Sequence, residues 1–283
     1  LVELTYLLSA ILFVVGLKRL QSPATARGGN ALASFAMLLA IIATLVDTDI
    51  LGWTGILGGV ALGGIIGGIA ARKVEMTSMP EMVGIFNAFG GGASALVAVA
   101  EFLNSPTVGM STAGVSMLLG TVIGGVTFTG SFVAFAKLKG LITGNPITFP
   151  GQNATNGVLV LGTLALGAMT LGVFGGQDPA TLFYIFCGLS LLLGVLMVIP
   201  IGGADMPVVI SLLNSYSGLA ASAAGFVIGN MVLIIAGALV GASGLILTQL
   251  MCKGMNRSLA NVVFGGFGGT AGVDRAQIGK RPV

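Results

Sequence analysis

The sequence predicts an all-α protein built as a polytopic bundle of transmembrane helices. Of its 283 residues, 55% are hydrophobic and only 7% are charged, whereas soluble domains carry about 25% charged residues. The mean hydropathy is +1.05, and apolar runs long enough to cross a bilayer as helices recur along the chain. The alternating ten-residue segments of a membrane β-barrel are not seen.

The apolar runs predict nine membrane spans, separated by short segments rich in Gly, Pro, Asn and Asp. These separators include "QSPATARGGN", "DTDILG", "NSPTVG", "TGNPITFPGQN" and "GGQDP", which carry the residues that end helices. The expected spans are residues 2–17, 31–46, 53–71, 82–103, 110–136, 154–174, 179–199, 206–226 and 227–252.

The charged residues predict the orientation of these spans. Each basic residue falls on the side of the membrane that is reached after an odd-numbered span, and basic residues favour the cytoplasmic side. We therefore expect the N-terminus outside and the C-terminus inside. The basic residues are Lys18, Arg19, Arg27, Arg72, Lys73, Lys137, Lys139, Lys253, Arg257, Arg275, Lys280 and Arg281.

Glycine is unusually frequent, with 47 residues in the chain. Glycine weakens helices in water, but small residues at every fourth position let membrane helices pack closely. Span three has glycine at 55, 59, 63 and 67, and span nine repeats the spacing at Gly237 and Gly241. The pattern indicates tight helix packing, with faces that let helices slide or rotate as the alternative.

The composition excludes several classes of site. The chain contains no histidine, which excludes histidine-ligated metals and a Ser-His-Asp triad within the chain. Its two cysteines form neither a disulfide framework nor a metal-ligand cluster. Because the basic residues lie in short loops, we expect them to orient the spans in the lipid bilayer and not to bind nucleic acid. We expect no metal site.

The stretch "ADMPVVISLLNSYSG" places polar residues inside span eight. On a helix, Ser211, Asn214, Ser215, Gly218 and Ser222 share one face. Such a stripe is typical of a hydrated passage, but also of hydrogen bonds between helices, which contribute about 0.6–2 kcal/mol each. Both interpretations stay open for this stripe.

A second amide, Asn87, lies several residues into span four within "MVGIFNAFGGGASA". An amide does not titrate at ordinary pH, but it both donates to and accepts from water. Asn87 and Asn214 are therefore candidates for holding a water chain. The alternative is structural, with Asn87 bonded to a neighbouring backbone group.

Asp205 opens span eight just before Pro207. A carboxylate at a helix N-terminus is favoured by the helix dipole and often caps the helix. The alternative is a switchable pair with Arg257, which is expected on the same side of the membrane after span nine.

Several long strings resemble one family. They are "GADMPVVISLLNSYSG", "GALVGASG", "MCKGMNRSLANVVFGGFG", "KVEMTSMPEMV" and "ITGNPITFPGQNATN". Together they are similar to the membrane domain of the beta subunit of the proton-translocating nicotinamide nucleotide transhydrogenases. The match is weakest over residues 1–70.

The resemblance implies a function that the residues alone do not establish. The family couples hydride transfer between NAD(H) and NADP(H) to proton movement across a membrane, here expected to be the bacterial cytoplasmic membrane. The two nucleotides bind separate soluble domains, so we expect this chain to bind no cofactor and to hold no catalytic residue. Expected partners are alpha-subunit membrane helices, both nucleotide-binding domains and a second copy of the enzyme.

The resemblance also assigns residues to roles. Asn214 matches the family's functional Asn, and with Asn87, Ser211 and Ser215 it forms the expected proton path. Asn87 stands where some members have a histidine, so an alpha-subunit helix or a water chain would have to replace that titrating group. The expected coupling residues are Asp205, Arg257, Gly237, Gly241, Ser243 and Gly244.

Residues 1–256 are expected to form the transmembrane domain, and residues 257–283 a cytoplasmic tail leading toward the NADP(H)-binding domain. Two other functions remain as alternatives. A secondary transporter predicts inverted repeats around a midplane site, and no convincing repeat is found. A structural membrane anchor predicts that the polar residues of span eight tolerate substitution.

Overall fold

A computed structural model describes residues 2–47, 52–105, 109–172, 178–256, 258–260 and 262. Over these residues the protein is helical and contains no strand. Two short 3-10 turns, Met76–Ser78 and Gly203–Asp205, precede α4 and α8. The helices are α1 (Val2–Leu20), α2 (Pro23–Asp47), α3 (Trp53–Lys73), α4 (Met79–Asn104), α5 (Thr112–Leu138), α6 (Gln152–Thr170), α7 (Pro179–Val198), α8 (Met206–Ile228) and α9 (Met231–Gly254).

Polar caps and glycine set several of the helix ends. The Ser111 side chain accepts a hydrogen bond from the backbone N–H of Gly114 at the start of α5, and Asp178 caps α7 in the same way. Gly229 ends α8 with a φ of 67°, a left-handed conformation that favours glycine. Asn230 then caps α9 directly, so α8 and α9 form a tight antiparallel hairpin.

The second helix starts eight residues earlier than expected. The segment "QSPATARGGN" was predicted to be a connection, but α2 begins at Pro23, so this prediction is wrong for most of the segment. Proline suits the first helical position because its fixed φ is already helical, and the carbonyl of Ser22 accepts the first helical bond from Ala26. The polar residues form an extension of the helix beyond its apolar run.

Seven of the helical segments described are long and apolar enough to cross a membrane. The two that fall short are α1, which carries Glu3, Lys18 and Arg19 within 19 residues, and α6, which opens with polar amides. The protein is therefore a multispanning helical membrane protein.

Four helices form the centre of the bundle. Helix α8 packs against α9, α5 and α4, and α5 packs in addition against α4 and α7. Helix α6 contacts α7, and the α1–α2 hairpin joins the bundle through α9. Helix α3 has no buried residue. The polar residues predicted from span eight thus lie on the most enclosed helix of the protein.

Candidate functional site

Asn87 lies buried on α4, where it connects three helices. Its side-chain nitrogen donates to the hydroxyl of Ser131 on α5 at 2.9 Å. The hydroxyl of Ser217 on α8 donates to the Asn87 backbone carbonyl at 3.3 Å. Ser131 is fully enclosed. The mid-membrane amide is thus held by a neighbouring side chain, and it ties α4 to α5.

Asn214 is placed differently, at the edge between two packed faces of α8. On one side of it, Ile210 and Ser217 contact α4, and on the other side Ser211 contacts α9. Helical periodicity puts Asn214 between these two directions. The side chain is half-buried, and no hydrogen bond among the described residues involves its amide. Asn214 therefore faces the groove between α4 and α9.

The two amides lie at similar depth but point in different directions. Ser217 touches the Asn87 carbonyl, and Asn214 precedes Ser217 by three residues, or about 4.5 Å along the helix axis. The Asn87 side chain points toward α5, while Asn214 lies on the α9 side of α4. Three cavities among the described residues are lined by side chains other than Asn87 and Asn214.

Ser211 and Ser215 lie in the contact between α8 and α9. The Ser215 hydroxyl donates to the carbonyl of Gly241 at 2.5 Å, and the Ser211 hydroxyl lies 3.5 Å from the carbonyl of Gly244. The Thr248 hydroxyl donates to the Gly244 carbonyl at 2.7 Å and lies 3.1 Å from the Ser211 hydroxyl. Here the two serines form hydrogen bonds between helices.

The glycines of α9 let its backbone touch that of α8. A Cβ atom at Gly237 would lie 2.5 Å from the backbone nitrogen of Ser222, and one at Gly244 would lie 2.9 Å from the Cα of Ser215. Gly241 is buried in the same contact. Ser243 differs, because it is exposed and donates only to the carbonyl of Val240 in its own helix. The structure thus brings three of the four predicted α9 residues to α8.

Asp205 ends the 3-10 turn that leads into α8. It occupies the N-cap position, but its side chain makes no capping hydrogen bond, so the simple capping interpretation does not account for it. Cys252, near the end of α9, lies in the same apolar cluster as Met206, the residue that follows Asp205. The predicted partner Arg257 lies outside the described residues, and that pairing stays a prediction.

The chain that follows α9 returns to this end of the bundle. Val262 is buried, and Leu259 packs against the same apolar cluster, which includes Met206 of α8 and Cys252 of α9. Leu259 and Val262 of the predicted tail therefore pack with the apolar cluster that contains the first residue of α8. The rest of the tail, residues 257, 261 and 263–283, lies outside the described residues.

Comparison with known proteins identifies the family. The family described as "NAD(P) transhydrogenase beta subunit" matches residues 2–281. The chain belongs to this family. It is 46% identical over 278 residues to the NAD(P) transhydrogenase subunit beta of Rhodospirillum rubrum, and the same protein from a named strain of that species gives the same values.

Membership in the transhydrogenase beta subunit family confirms the resemblance drawn from the quoted strings. The alignment covers 96% of this chain but 59% of the Rhodospirillum rubrum protein. The chain thus spans about three fifths of the length of the curated relatives that it matches.

The sequence alone does not single out three polar residues of this site, nor Lys137 at the end of α5. Ser131, Ser217 and Thr248 all bond to predicted site residues. Each lies in an apolar helix within four residues of a glycine, the same setting as that of Asn87 and of the polar face of span eight. From the sequence, Lys137 is expected only to orient the spans. Nothing near it in the sequence indicates that it bonds to the backbone carbonyls of Asn145, Ile199 and Ile201.

Proposed function

We propose that this transhydrogenase beta chain is the proton-conducting membrane part of a nicotinamide nucleotide transhydrogenase. In the complete enzyme it would couple proton translocation to hydride transfer between NAD(H) and NADP(H), which bind on separate soluble domains. The main support is the family match over residues 2–281. The chain itself supplies no cofactor site in this proposal.

The proton path in this proposal runs beside α8, at the depth of Asn87 and Asn214. Neutral amides order water without titrating, so the titrating group comes from elsewhere. In this proposal a membrane helix of the alpha subunit lies beside Asn214, between α4 and α9. We propose that such a helix supplies the protonatable side chain. Moving one charge through 100 mV releases about 2.3 kcal/mol.

Ser211 and Ser215 have a narrower part in this proposal than the sequence suggested. Their hydroxyls already donate to α9 carbonyls, which favours a role in holding α8 against α9. A proton path through Ser211 and Ser215 would require the two helices to separate. A proton path on the α4 side of Asn214 would not require α8 and α9 to separate.

Coupling in this proposal takes place at the Asp205 end of the bundle. Asp205, paired with Arg257, would respond to protonation and pass that change to the NADP(H)-binding domain through residues 257–283. The packing of Leu259 and Val262 beside the start of α8 supports this route. Close backbone contact at Gly237, Gly241 and Gly244 would transmit movement of α9 to α8. Ser243, which is exposed, would face another part of the complete enzyme. Such coupling is reciprocal, so nucleotide binding would shift proton affinity equally.

The remaining architecture belongs to the same proposal. Nine spans, with the N-terminus outside and the C-terminus inside, would make residues 1–256 the membrane domain and place the tail on the side of the nucleotide-binding domains. The enzyme would work as a homodimer in the bacterial cytoplasmic membrane. The distribution of basic residues supports this orientation.

The experiment is Asn214→Leu in the complete enzyme, reconstituted into vesicles that carry a pH-sensitive dye. We expect proton uptake driven by hydride transfer to fall by about tenfold or more, since coupling factors of this size are typical. Thermal stability should be unchanged, because no hydrogen bond among the described residues involves this amide.

Asn153→Leu is the matched control, since it makes the same change at an exposed position on α6 and should leave proton uptake intact. Wild-type proton uptake by Asn214→Leu would contradict the proposed path and favour a structural anchor. Uptake of a labelled small solute by the vesicles would favour a transporter.

A further inference from the structure

Among the residues that the structure describes, Lys137 in the last turn of α5 is the one charged residue that is buried, at 4% exposure. Its neighbour Lys139 is exposed and forms an ion pair with Glu81 of α4 at 3.2 Å. Lys137 takes part in no ion pair within the described part of the chain. Its charge must therefore be balanced in another way, because a buried ammonium without partners is strongly unfavourable.

Three backbone carbonyls provide that balance. The Lys137 ammonium donates to the carbonyls of Ile199 at 2.5 Å, Ile201 at 2.7 Å and Asn145 at 3.2 Å. An ammonium has three donors, so all of them are used. Ile199 caps the C-terminal end of α7, where the helix dipole favours a positive charge. Lys137 thus joins α5 to two segments that are distant from it in the sequence.

The same two segments are also bonded to each other. The backbone nitrogen of Gly203 donates to the carbonyl of Gly144 at 2.7 Å, and that of Ile147 donates to the carbonyl of Ile199 at 3.3 Å. A Cβ atom at Gly203 would lie 3.4 Å from Gly144, so the two connecting segments are in close contact. Lys137 closes a three-way junction between the α5 end, the α5–α6 connection and the α7–α8 connection.

This junction leads directly to Asp205. Only Gly202 separates Ile201 from the turn Gly203–Asp205, and the backbone nitrogen of Asp205 donates to the carbonyl of Gly202 at 3.0 Å. Met206, the next residue, is fully buried as α8 begins. Because the short segment between Ile201 and α8 is held by hydrogen bonds from Gly203 and Asp205, a displacement of the junction would displace Asp205.

We propose that Lys137 is a positioning residue whose three hydrogen bonds hold the turn before α8, and with it Asp205, in place. Its part in coupling rests on the function proposed above. Lys139, two residues further along, makes none of these contacts and has no such role.

The first test measures the position of the turn and does not depend on proton translocation. Ile201→Cys places a thiol in the junction, where the side chain is buried, in the complete enzyme with Cys187, Cys252 and any cysteine outside this chain replaced. We expect slow reaction with a maleimide in nanodiscs. Lys137→Met should speed that reaction by about tenfold or more, because it permits local opening. Lys139→Met is the matched control and should leave the rate unchanged.

The second test measures turnover in vesicles without the reporter thiol. Lys137→Met should lower proton-coupled turnover by about tenfold, with little change in the KM for NADPH. Lys137→Arg, which keeps the charge and several donors, should recover a large part of both the coupled turnover and the slow labelling. Lys139→Met should behave as wild type.

The outcomes are separable. Labelling of Lys137→Met at the wild-type rate would overturn the positioning role, whether or not the proposed function holds. Faster labelling with wild-type coupled turnover would overturn the link to coupling. If Lys137→Met does not accumulate in the membrane, Lys137→Gln replaces it. It offers two donors without a charge, so an intermediate labelling rate is expected, and a wild-type rate would again overturn the role.

Discussion

In α3, glycine recurs at positions 55, 59, 63 and 67, and in α9 Gly237 and Gly241 recur at the same spacing. A Cβ atom at any of the four α3 positions would have no described atom within 4 Å. A Cβ atom at Gly237 would meet the backbone of Ser222 at 2.5 Å. The glycine face of α3 is thus free of contacts among the described residues, whereas that of α9 is packed against α8.

The difference lies in what faces each stripe. Opposite the α9 glycines, α8 presents Gly218 and the hydroxyls of Ser211 and Ser215, which donate to α9 carbonyls. Close backbone approach and interhelical hydrogen bonds therefore occur together, as expected for membrane helices. Within the described part of the chain, α3 has no such facing surface. A glycine stripe permits close packing, and a complementary helix is what makes it an interface.

The largest effect expected from this comparison is that of Gly237→Ala. The added methyl group would clash with backbone atoms of Gly218 and Ser222, which cannot move aside without shifting α8. Overpacking of this kind costs about 1–3 kcal/mol, and we expect the upper part of that range. The free energy of unfolding of the purified enzyme in mixed micelles is the measurement. An unfolding free energy equal to wild type would contradict the enclosed packing of α8 and α9.

A smaller effect is expected from Ser215→Ala. It removes the 2.5 Å hydrogen bond to the Gly241 carbonyl while leaving the glycine contacts intact. Hydrogen bonds between membrane helices contribute about 0.6 kcal/mol on average and about 1.7 kcal/mol at most. We expect Ser215→Ala to lower the unfolding free energy by an amount within this range.

Ser243→Ala is the matched control on the same hairpin, because Ser243 is exposed and bonds only within its own helix. Its effect should lie within about 0.5 kcal/mol of zero, as for most surface changes. A Ser215→Ala enzyme with normal stability but without proton uptake would reverse the interpretation. Ser215 would then belong to the proton path and not to the helix contact.

Much of the fold was predictable, because membrane helices are encoded locally by hydropathy. Span eight was expected at residues 206–226, and α8 runs from Met206 to Ile228. The start of α2 was missed because an apolar run marks where a helix crosses lipid and not where its backbone bonds begin. Polar residues after Pro23 continue the helix outside its apolar run.

The site was less predictable, because its contacts join residues far apart in the chain. The sequence selected Asn87 and Asn214 as polar residues in apolar helices, but it did not indicate that Ser131 would take the Asn87 amide, 44 residues away. Lys137 looked like an ordinary basic residue at a helix end. Its carbonyl acceptors at Ile199 and Ile201 are 62 and 64 residues distant, and backbone carbonyls leave no signature in a sequence.

The smallest effect is expected from the double substitution Gly59→Ala, Gly63→Ala in α3. Neither added methyl group would meet a described atom within 4 Å, so the unfolding free energy of the beta subunit alone should change by less than about 0.5 kcal/mol. A loss as large as that of Gly237→Ala would show that α3 packs within its own chain. The same measurement on the assembled enzyme sharpens the comparison further. Since the free subunit lacks any neighbouring chain, a loss seen only in the assembly would place the partner of α3 in another subunit.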